Sequence, residues 1–250
     1  MEKHGAIYHI CAFGAHPDDV ELFAGGTIAK SVAQGKKVAI VDLTRGELGS
    51  RGNAETRAKE SAAAQRILGV QHRENLNLGD GYFEVNQGSL DVVIEVLRRL
   101  RPSTVLANAL EDRHPDHGRG AELIHRAAFL SGLVKIETRD STSGEIQMPW
   151  RPQAVYHGIQ DRWREPSFVV DIEGFEELKA KAIAAYETQF HKLSEASTSS
   201  DEPQTPISTP EFLIHVKGRD VAMGRLGGVK SGEGFETKRP PVVREIDLLY

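Results

Sequence analysis

Ala15-His16-Pro17-Asp18-Asp19-Val20-Glu21 follows an apolar run, Ile7 to Phe13, and precedes a helical pattern, Leu22 to Ala33. The chain therefore passes from a buried strand to a helix at these seven residues. Proline suits a first helical turn, where its missing N–H has no intrahelical acceptor to lose. That puts His16 at the cap and brings Asp19, three residues on, back to the same side of the turn. A neutral imidazole and a carboxylate at this spacing can share one divalent ion. Asp18 points elsewhere and stays free for proton transfer. Asp and Pro at a helix start are also ordinary capping chemistry, so one such turn decides little. A second one does. Arg113-His114-Pro115-Asp116-His117 again follows an apolar run, Thr104 to Ala109, and again opens a helix, Gly120 to Leu130. Two His-Pro-Asp turns at strand ends point to one joint metal site.

Outward from these turns, short β-rich runs alternate with helical patterns. Strands are expected at Ile7–Phe13, Lys37–Leu43, Arg73–Leu78 and Thr104–Ala109, and helices at Val20–Gln34, Ala54–Leu68, Leu90–Leu100 and His117–Leu130. Gly35 and Gly69 read as helix stops. Such alternation predicts an α/β fold, a Rossmann-like, mostly parallel sheet with helices on both faces. With right-handed connections and the order 3-2-1-4, the first and fourth strands are neighbours at the switch point, where ligands bind beyond the strands' carboxyl ends. Both His-Pro-Asp turns fall there. The second half predicts strands at Ala154–Ile159 and Phe168–Ile172, helices at Phe175–Phe190 and Glu211–Leu226, and a Ser/Thr/Pro-rich surface excursion from Ser194 to Pro210. The tail from Gly227 is expected to fold back over the sheet. No break divides the chain, so residues 1–250 read as one domain.

The 250 residues are 39% hydrophobic and 27% charged, which excludes global disorder. A net charge of −5 speaks against a phosphate-tracking protein, so no nucleic-acid partner is expected. The single cysteine, Cys11, lies in the first strand and reads as a core residue rather than a nucleophile. Met1 to Gly5 are polar and no run reaches the roughly 20 apolar residues of a membrane span, so the expectation is a cytoplasmic protein with no membrane partner. A nucleotide-binding module is disfavoured. Phe13-Gly14-Ala15-His16 carries no glycine fingerprint, and Gly25-Gly26, inside the helix, reads as a packing feature.

His16, Asp19 and one histidine of the second turn form a His₂Asp set. Three protein ligands and one open position is the catalytic pattern of zinc, and an imidazole-rich set favours zinc or a related transition metal over magnesium or calcium. The second turn offers His114 and His117. His117, inside the helical turn as Asp19 is, is preferred, which leaves His114 at the cap to act on substrate and Asp116 to orient its ring. Asp18 is the natural base for an attacking water and can return the proton to a leaving amine. Protonated His114 can steady the oxyanion of a tetrahedral intermediate alongside the metal. This describes amide hydrolysis, with ester or phosphoester cleavage as the other outcomes these residues allow. A two-metal phosphatase would need a second acidic cluster. Arg57 starts a helix, where a cation is disfavoured. Either it binds a carboxylate or it pairs with Glu47 or Glu55. Arg113 directly precedes His114, whereas Arg45 and Arg51 read as solvated loop residues.

The stretches AHPDDVELFAGGTIAK (15–30), EDRHPDHGRGAELI (111–124), LTRGELGSRGNAETRAKESAAAQRILGV (43–70) and YETQF (186–190) resemble the PIG-L/LmbE-like superfamily of zinc-dependent N-acetylglucosamine deacetylases. The last two are similar to its bacillithiol-pathway branch. The resemblance implies one Zn²⁺ per subunit, or Fe²⁺ or another divalent transition metal. It implies His16, Asp19 and His117 as ligands, Asp18 as general base, and His114 as oxyanion stabiliser with Asp116 behind it. It further implies a small amino-sugar conjugate as substrate, N-acetylglucosaminyl-malate in that branch, or else another N-acetylglucosamine conjugate such as a chitobiose. Arg57, Arg113, Glu47 and Tyr186 become the substrate-binding candidates, and a homo-oligomer, trimer or hexamer, is expected.

Overall fold

The computed structural model describes residues 6–190 and 203–242. In chain order the elements are β1 (Tyr8–Gly14), α1 (Asp19–Ala33), β2 (Val38–Asp42), α2 (Ala54–Leu68), β3 (His72–Asn75), α3 (Gln87–Leu100), β4 (Pro102–Ala107), α4 (Pro115–Leu130), β5 (Ala154–Gly158), β6 (Phe168–Asp171), α5 (Glu176–Ala184), α6 (Pro210–Gly227) and β7 (Gly232–Glu236). The strands form one sheet in the order β3-β2-β1-β4-β5-β7-β6. Its first five strands are parallel, and β7 runs antiparallel between β5 and β6. The 3-2-1-4 order is therefore present, with β1 paired to β4 from Tyr8↔Pro102 to Ala12↔Leu106.

Alternation along β1 divides the core. Ile10 and Ala12 face one layer with Val20, Phe23 and Ile28 of α1, Leu68 of α2 and Ile183 of α5. Cys11 and Phe13 face the other with Val93, Ile94 and Leu97 of α3 and Leu123 and Ile124 of α4. A parallel strand covered on both faces is apolar throughout rather than alternating, which is why Ile7 to Phe13 reads as a continuous run. Cys11 is fully buried, as expected of a core residue. No described helix is long and apolar enough to cross a membrane.

Several boundaries differ from the sequence expectation. The first helix starts at Asp19, not at Pro17, so His16 and Pro17 belong to the turn before it. The third strand ends at Asn75, and the helix begun after Phe175 ends at Ala184, giving way to turns. The tail joins the sheet as β7 instead of lying over it. Of the 194–210 excursion, residues 194–202 lie outside the described residues. Gly25-Gly26 is indeed a packing feature: a Cβ on Gly26 would stand 2.8 Å from the Ile172 side chain, and one on Gly25 would stand 3.0 Å from Lys179 Cγ.

Candidate metal centre and active site

The two His-Pro-Asp turns leave β1 and β4 side by side, but they are not copies. In the second, His114 is the N-cap, Pro115 opens α4, and Asp116 and His117 lie in its first turn. In the first, Asp18 is the N-cap and holds φ 124° and ψ −26°, a region an L-residue rarely adopts, at a cost of roughly 1–3 kcal/mol. Arg57 holds it there. Its Nη1 donates to Asp18 Oδ2 at 2.9 Å and to the Pro17 carbonyl at 3.0 Å. Arg57 is delivered by α2, whose start is fixed by a capping box between Asn53 and Thr56. The carboxylate that justifies a cation at this helix start is thus Asp18, not Glu47 or Glu55. Gly46, at φ 66°, leaves room for the guanidinium: a Cβ there would lie 2.9 Å from Arg57 Nη2.

Asp19 lies between two imidazoles. His16 Nδ1 is 3.5 Å from its Oδ2, and His117 Nε2 is 3.2 Å from its Oδ1. Ring nitrogens of His16, His114 and His117 all lie within 4.8 Å of one another. Each outer histidine is braced from behind by a carboxylate: His16 Nε2 by Asp80 Oδ1 at 3.0 Å, and His117 Nδ1 by Asp112 Oδ2 at 2.7 Å. Bracing of this kind fixes the tautomer and leaves His16 Nδ1 and His117 Nε2 facing inward. Three imidazoles and a carboxylate suit a divalent transition metal of the zinc type, so the residues present fit such an ion. Sequence spacing did not find a second group, His16 with Asp80 and Asp116. Its carboxylates already have partners: Asp80 Oδ2 accepts from the Leu48 amide, and Asp116 accepts from Gly81 N and Arg119 Nη1.

Burial and charge set the proton affinities. Burial drives Asp18 up to about 7, against the Arg57 charge that lowers it, with Asp19 adding to the rise. Asp19 is held well below the usual carboxylate range: burial opposes this, but the His117 charge and hydrogen bonds from His117 and His16 prevail. His16 is raised well above its ordinary value, because Asp116, Asp19 and Asp80 outweigh its burial. His117 rises to about 9 through Asp19 and Asp112, again against burial. His114 is lowered, first by burial and then by the charges of His16 and His117. A divalent cation would take the place of the protons that Asp19 shares with its two neighbours.

A cavity of about 340 Å³ opens on this cluster, lined by His16, Asp18, Asp19, His114 and His117, with Arg57 and Arg113. Arg113 is at the rim, half exposed and paired with Asp161. Two candidates fall elsewhere. Tyr186 is fully buried and donates to Glu21 Oε1 at 3.1 Å, so the structure corrects its assignment to substrate binding. Glu47 is exposed and not part of the cavity wall. Its carboxylate accepts from Asp80 N and Arg45 N, which buttresses the loop carrying Asp80. Asp116 also differs from expectation. It orients His114 through its main-chain amide, which donates to His114 Nδ1 at 3.3 Å, while its carboxylate serves Gly81 and Arg119.

Several residues of the site were missed by sequence reasoning, Asp112, Asp80, Asn108, Gln160 and Arg219 among them. Asp112 precedes the second turn by two positions, and a carboxylate next to His-Pro-Asp-His was a usable signal. Asp80, Asn108 and Gln160 gave none. They reach His16 and Asp19 only through the fold, across 64, 89 and 141 residues.

The PIG-L family model, described as GlcNAc-PI de-N-acetylase, matches residues 11–128, from β1 through α4 and thus both turns. A 1D-myo-inositol 2-acetamido-2-deoxy-alpha-D-glucopyranoside deacetylase of Streptomyces scabiei is 30% identical over 292 residues, covering 89% of this chain and 87% of the relative. A diacetylchitobiose deacetylase of Thermococcus kodakarensis is 28% identical over 199 residues, covering 76% of this chain and 73% of the relative. Among solved structures, a conserved protein of Thermus thermophilus superposes with a TM-score of 0.82 at 33% identity, over 96% of this chain and 98% of that one.

Proposed function

The chain belongs to the PIG-L family of de-N-acetylases, and on that footing we propose that it is a metal-dependent hydrolase that removes the N-acetyl group of N-acetylglucosaminyl-malate. The observation that carries the chemistry is the pair of carboxylate-braced histidines facing Asp19, with Asp18 beside them and raised to about 7. His16, Asp19 and His117 would hold the ion. Zinc or a related cation held there would polarise the amide carbonyl and lower the pKa of water.

The chain's own residues divide the remaining work. Asp18, near neutrality in its proton affinity, takes the proton of the attacking water and returns it to the leaving amine. Arg57 fixes the strained turn that aims it. His114 accepts from the Asp116 amide at Nδ1, so its neutral ring carries the proton on Nε2. That N–H is the donor for the developing oxyanion. Burial lowers the proton affinity of His114, which favours this neutral form.

The malate assignment draws on Arg113 at the cavity rim. One observation favours another N-acetylglucosamine conjugate instead. Among the described lining residues each arginine is already engaged: Arg57 by Asp18, Arg113 by Asp161, and Arg219 by main-chain carbonyls. Amine release from N-acetylglucosaminyl-malate, diacetylchitobiose and N-acetylglucosamine, with zinc-loaded and chelated protein, decides. Metal-dependent preference for the malate conjugate supports the first reading. Preference for either of the others keeps the de-N-acetylase and removes malate, and release that survives chelation removes the metal. A cytoplasmic homo-oligomer, trimer or hexamer, completes the proposal; sedimentation showing a monomer at micromolar concentration removes the assembly.

A further inference from the structure

Asp19 is held by two carboxamides. Asn108 Nδ2 donates to its Oδ2 at 3.0 Å, and Gln160 Nε2 donates to its Oδ1 at 2.9 Å. The latter is the oxygen that His117 Nε2 faces. The two amides are not equivalent. Asn108 is tied to the scaffold on its own account: its Oδ1 accepts from the Ala15 amide at 2.7 Å, and its carbonyl lies 3.0 Å from His157 Nδ1. Gln160 is 5% exposed, and its Oε1 is buried with no partner among the described residues. Its side-chain hydrogen bond is the one to Asp19. A buried carboxamide with its oxygen unpaired is a cost to folding. For stability alone, an apolar side chain of the same length would serve better.

The main chain of Gln160, by contrast, is firmly fixed. Arg219, buried in α6, donates from Nη1 to the Gln160 carbonyl and from Nη2 to the Leu22 carbonyl at 2.5 Å. Leu22 lies one turn beyond Asp19 in α1. The planar guanidinium therefore ties the exit of β5 to the first turns of α1, which sets the donor amide against the acceptor carboxylate.

We propose that Gln160 is a positioning residue of the metal centre, its amide fixing the orientation of Asp19 as a ligand, and that Arg219 acts through it by clamping the Gln160 main chain to α1. The proposal rests on the reading of Asp19 as a ligand. Neutral donors on a ligating carboxylate hold it ionised and correctly turned, and losing such a partner typically weakens metal binding about 10–100-fold.

The test measures zinc affinity by competition with a chromophoric chelator, alongside the melting temperature of the metal-free protein. Gln160→Met keeps the length and removes the donor. Its zinc affinity is expected to fall about 10–100-fold, while the metal-free melting temperature holds or rises. Gln160→Asn, one methylene short, should lose affinity likewise. Arg219→Lys should also lose affinity, since an ammonium cannot bridge two carbonyls as the fork does, but by less than Gln160→Met, because the Gln160 amide donor is still present. Zinc affinity unchanged in Gln160→Met and Gln160→Asn, with Asp19→Ala unable to bind, overturns the proposal and leaves the functional reading standing. A collapse of the metal-free melting temperature in Gln160→Met also overturns it, because the amide would then be a fold-stabilising group. Wild-type protein that binds no zinc, or Asp19→Ala that binds as wild type does, overturns the functional reading and the proposal together.

Discussion

An asparagine at position 18 would keep the shape of the side chain and its bond from Arg57, and remove the proton acceptor. Asp18→Asn is therefore expected to lose about 10²–10⁴-fold in turnover while retaining its metal; turnover within a few-fold of wild type, by amine release, would assign the base elsewhere. A second residue, His157, makes a prediction about stability. It is fully buried on β5, and burial lowers it to about 4, with His125 and Lys238 adding to the effect and its bond to the Asn108 carbonyl opposing it. The unfolded chain takes up this proton from about pH 6.5 downward and the folded chain does not. Stability from this source is complete above pH 6.5 and drains away toward pH 4, by roughly 3 kcal/mol in all. Denaturant titrations of wild type and His157→Gln across this window should converge as the pH falls; parallel curves would show that His157 does not titrate there. At this scale the sequence was most legible where chemistry was local. His16, Asp19, His114 and His117 come from two short turns and meet in one cluster. Asp80 and Gln160 were illegible because an Asp in LGDGY and a Gln after a strand acquire meaning only once β1, β4 and β5 are neighbours.

Helix α1 shows what is and is not local about an element. Its pattern is helical and it forms, but Gly25-Gly26 in its middle is explained only by what packs on it. Ile172 and Lys179 press against the two glycines, and the carboxylate of Glu233, from β7, accepts from the amides of Gly26 and Thr27 at 2.9 and 2.7 Å. Lys179 closes the cluster with ion pairs to Glu233 and Asp220 at 2.8 and 2.7 Å, all with side chains under a tenth exposed. Gly26→Ala, normally favourable in a helix, should here cost about 1–3 kcal/mol by overpacking against Ile172, read as a fall in the urea midpoint. An unchanged midpoint would mean that Ile172 gives way freely. Glu233→Gln leaves Lys179 with less compensation and should cost roughly 3–5 kcal/mol; a loss below about 1 kcal/mol would show the buried pair to be near break-even. The same strand explains a miss. Gly232-Glu233-Gly234-Phe235-Glu236 has two glycines and two acids, a poor strand by propensity. It is a strand because an antiparallel slot between β5 and β6 and a buried lysine await it.

Across the whole molecule, the site is assembled from parts remote in sequence and close in the sheet. The turns after β1 and β4 bring the histidines and aspartates, the loop after β2 and the start of α2 bring Arg57, the loop before α3 brings Asp80, and β5 and α6 bring Gln160 and Arg219. The order β3-β2-β1-β4 puts the parts that follow these four strands at one end, as strand alternation already implied. What alternation could not supply was the outer half, where chain direction reverses and spacing says nothing about pairing. On the proposed reading, a site that ties so many elements together would couple metal binding to global stability. A ligand that binds only the folded chain stabilises it by RT ln(1 + [L]/Kd), about 2.7 kcal/mol at a hundredfold excess over Kd. For a domain of this size, that corresponds to a rise of about 5–10 °C in melting temperature. Zinc added to metal-free protein should produce such a rise in wild type and in Asp18→Asn, and none in Asp19→Ala. Equal rises in all three would place the ion away from the two turns, because Asp19 is the group both inward-facing histidines share. A rise in wild type alone would make Asp18 a ligand rather than the base.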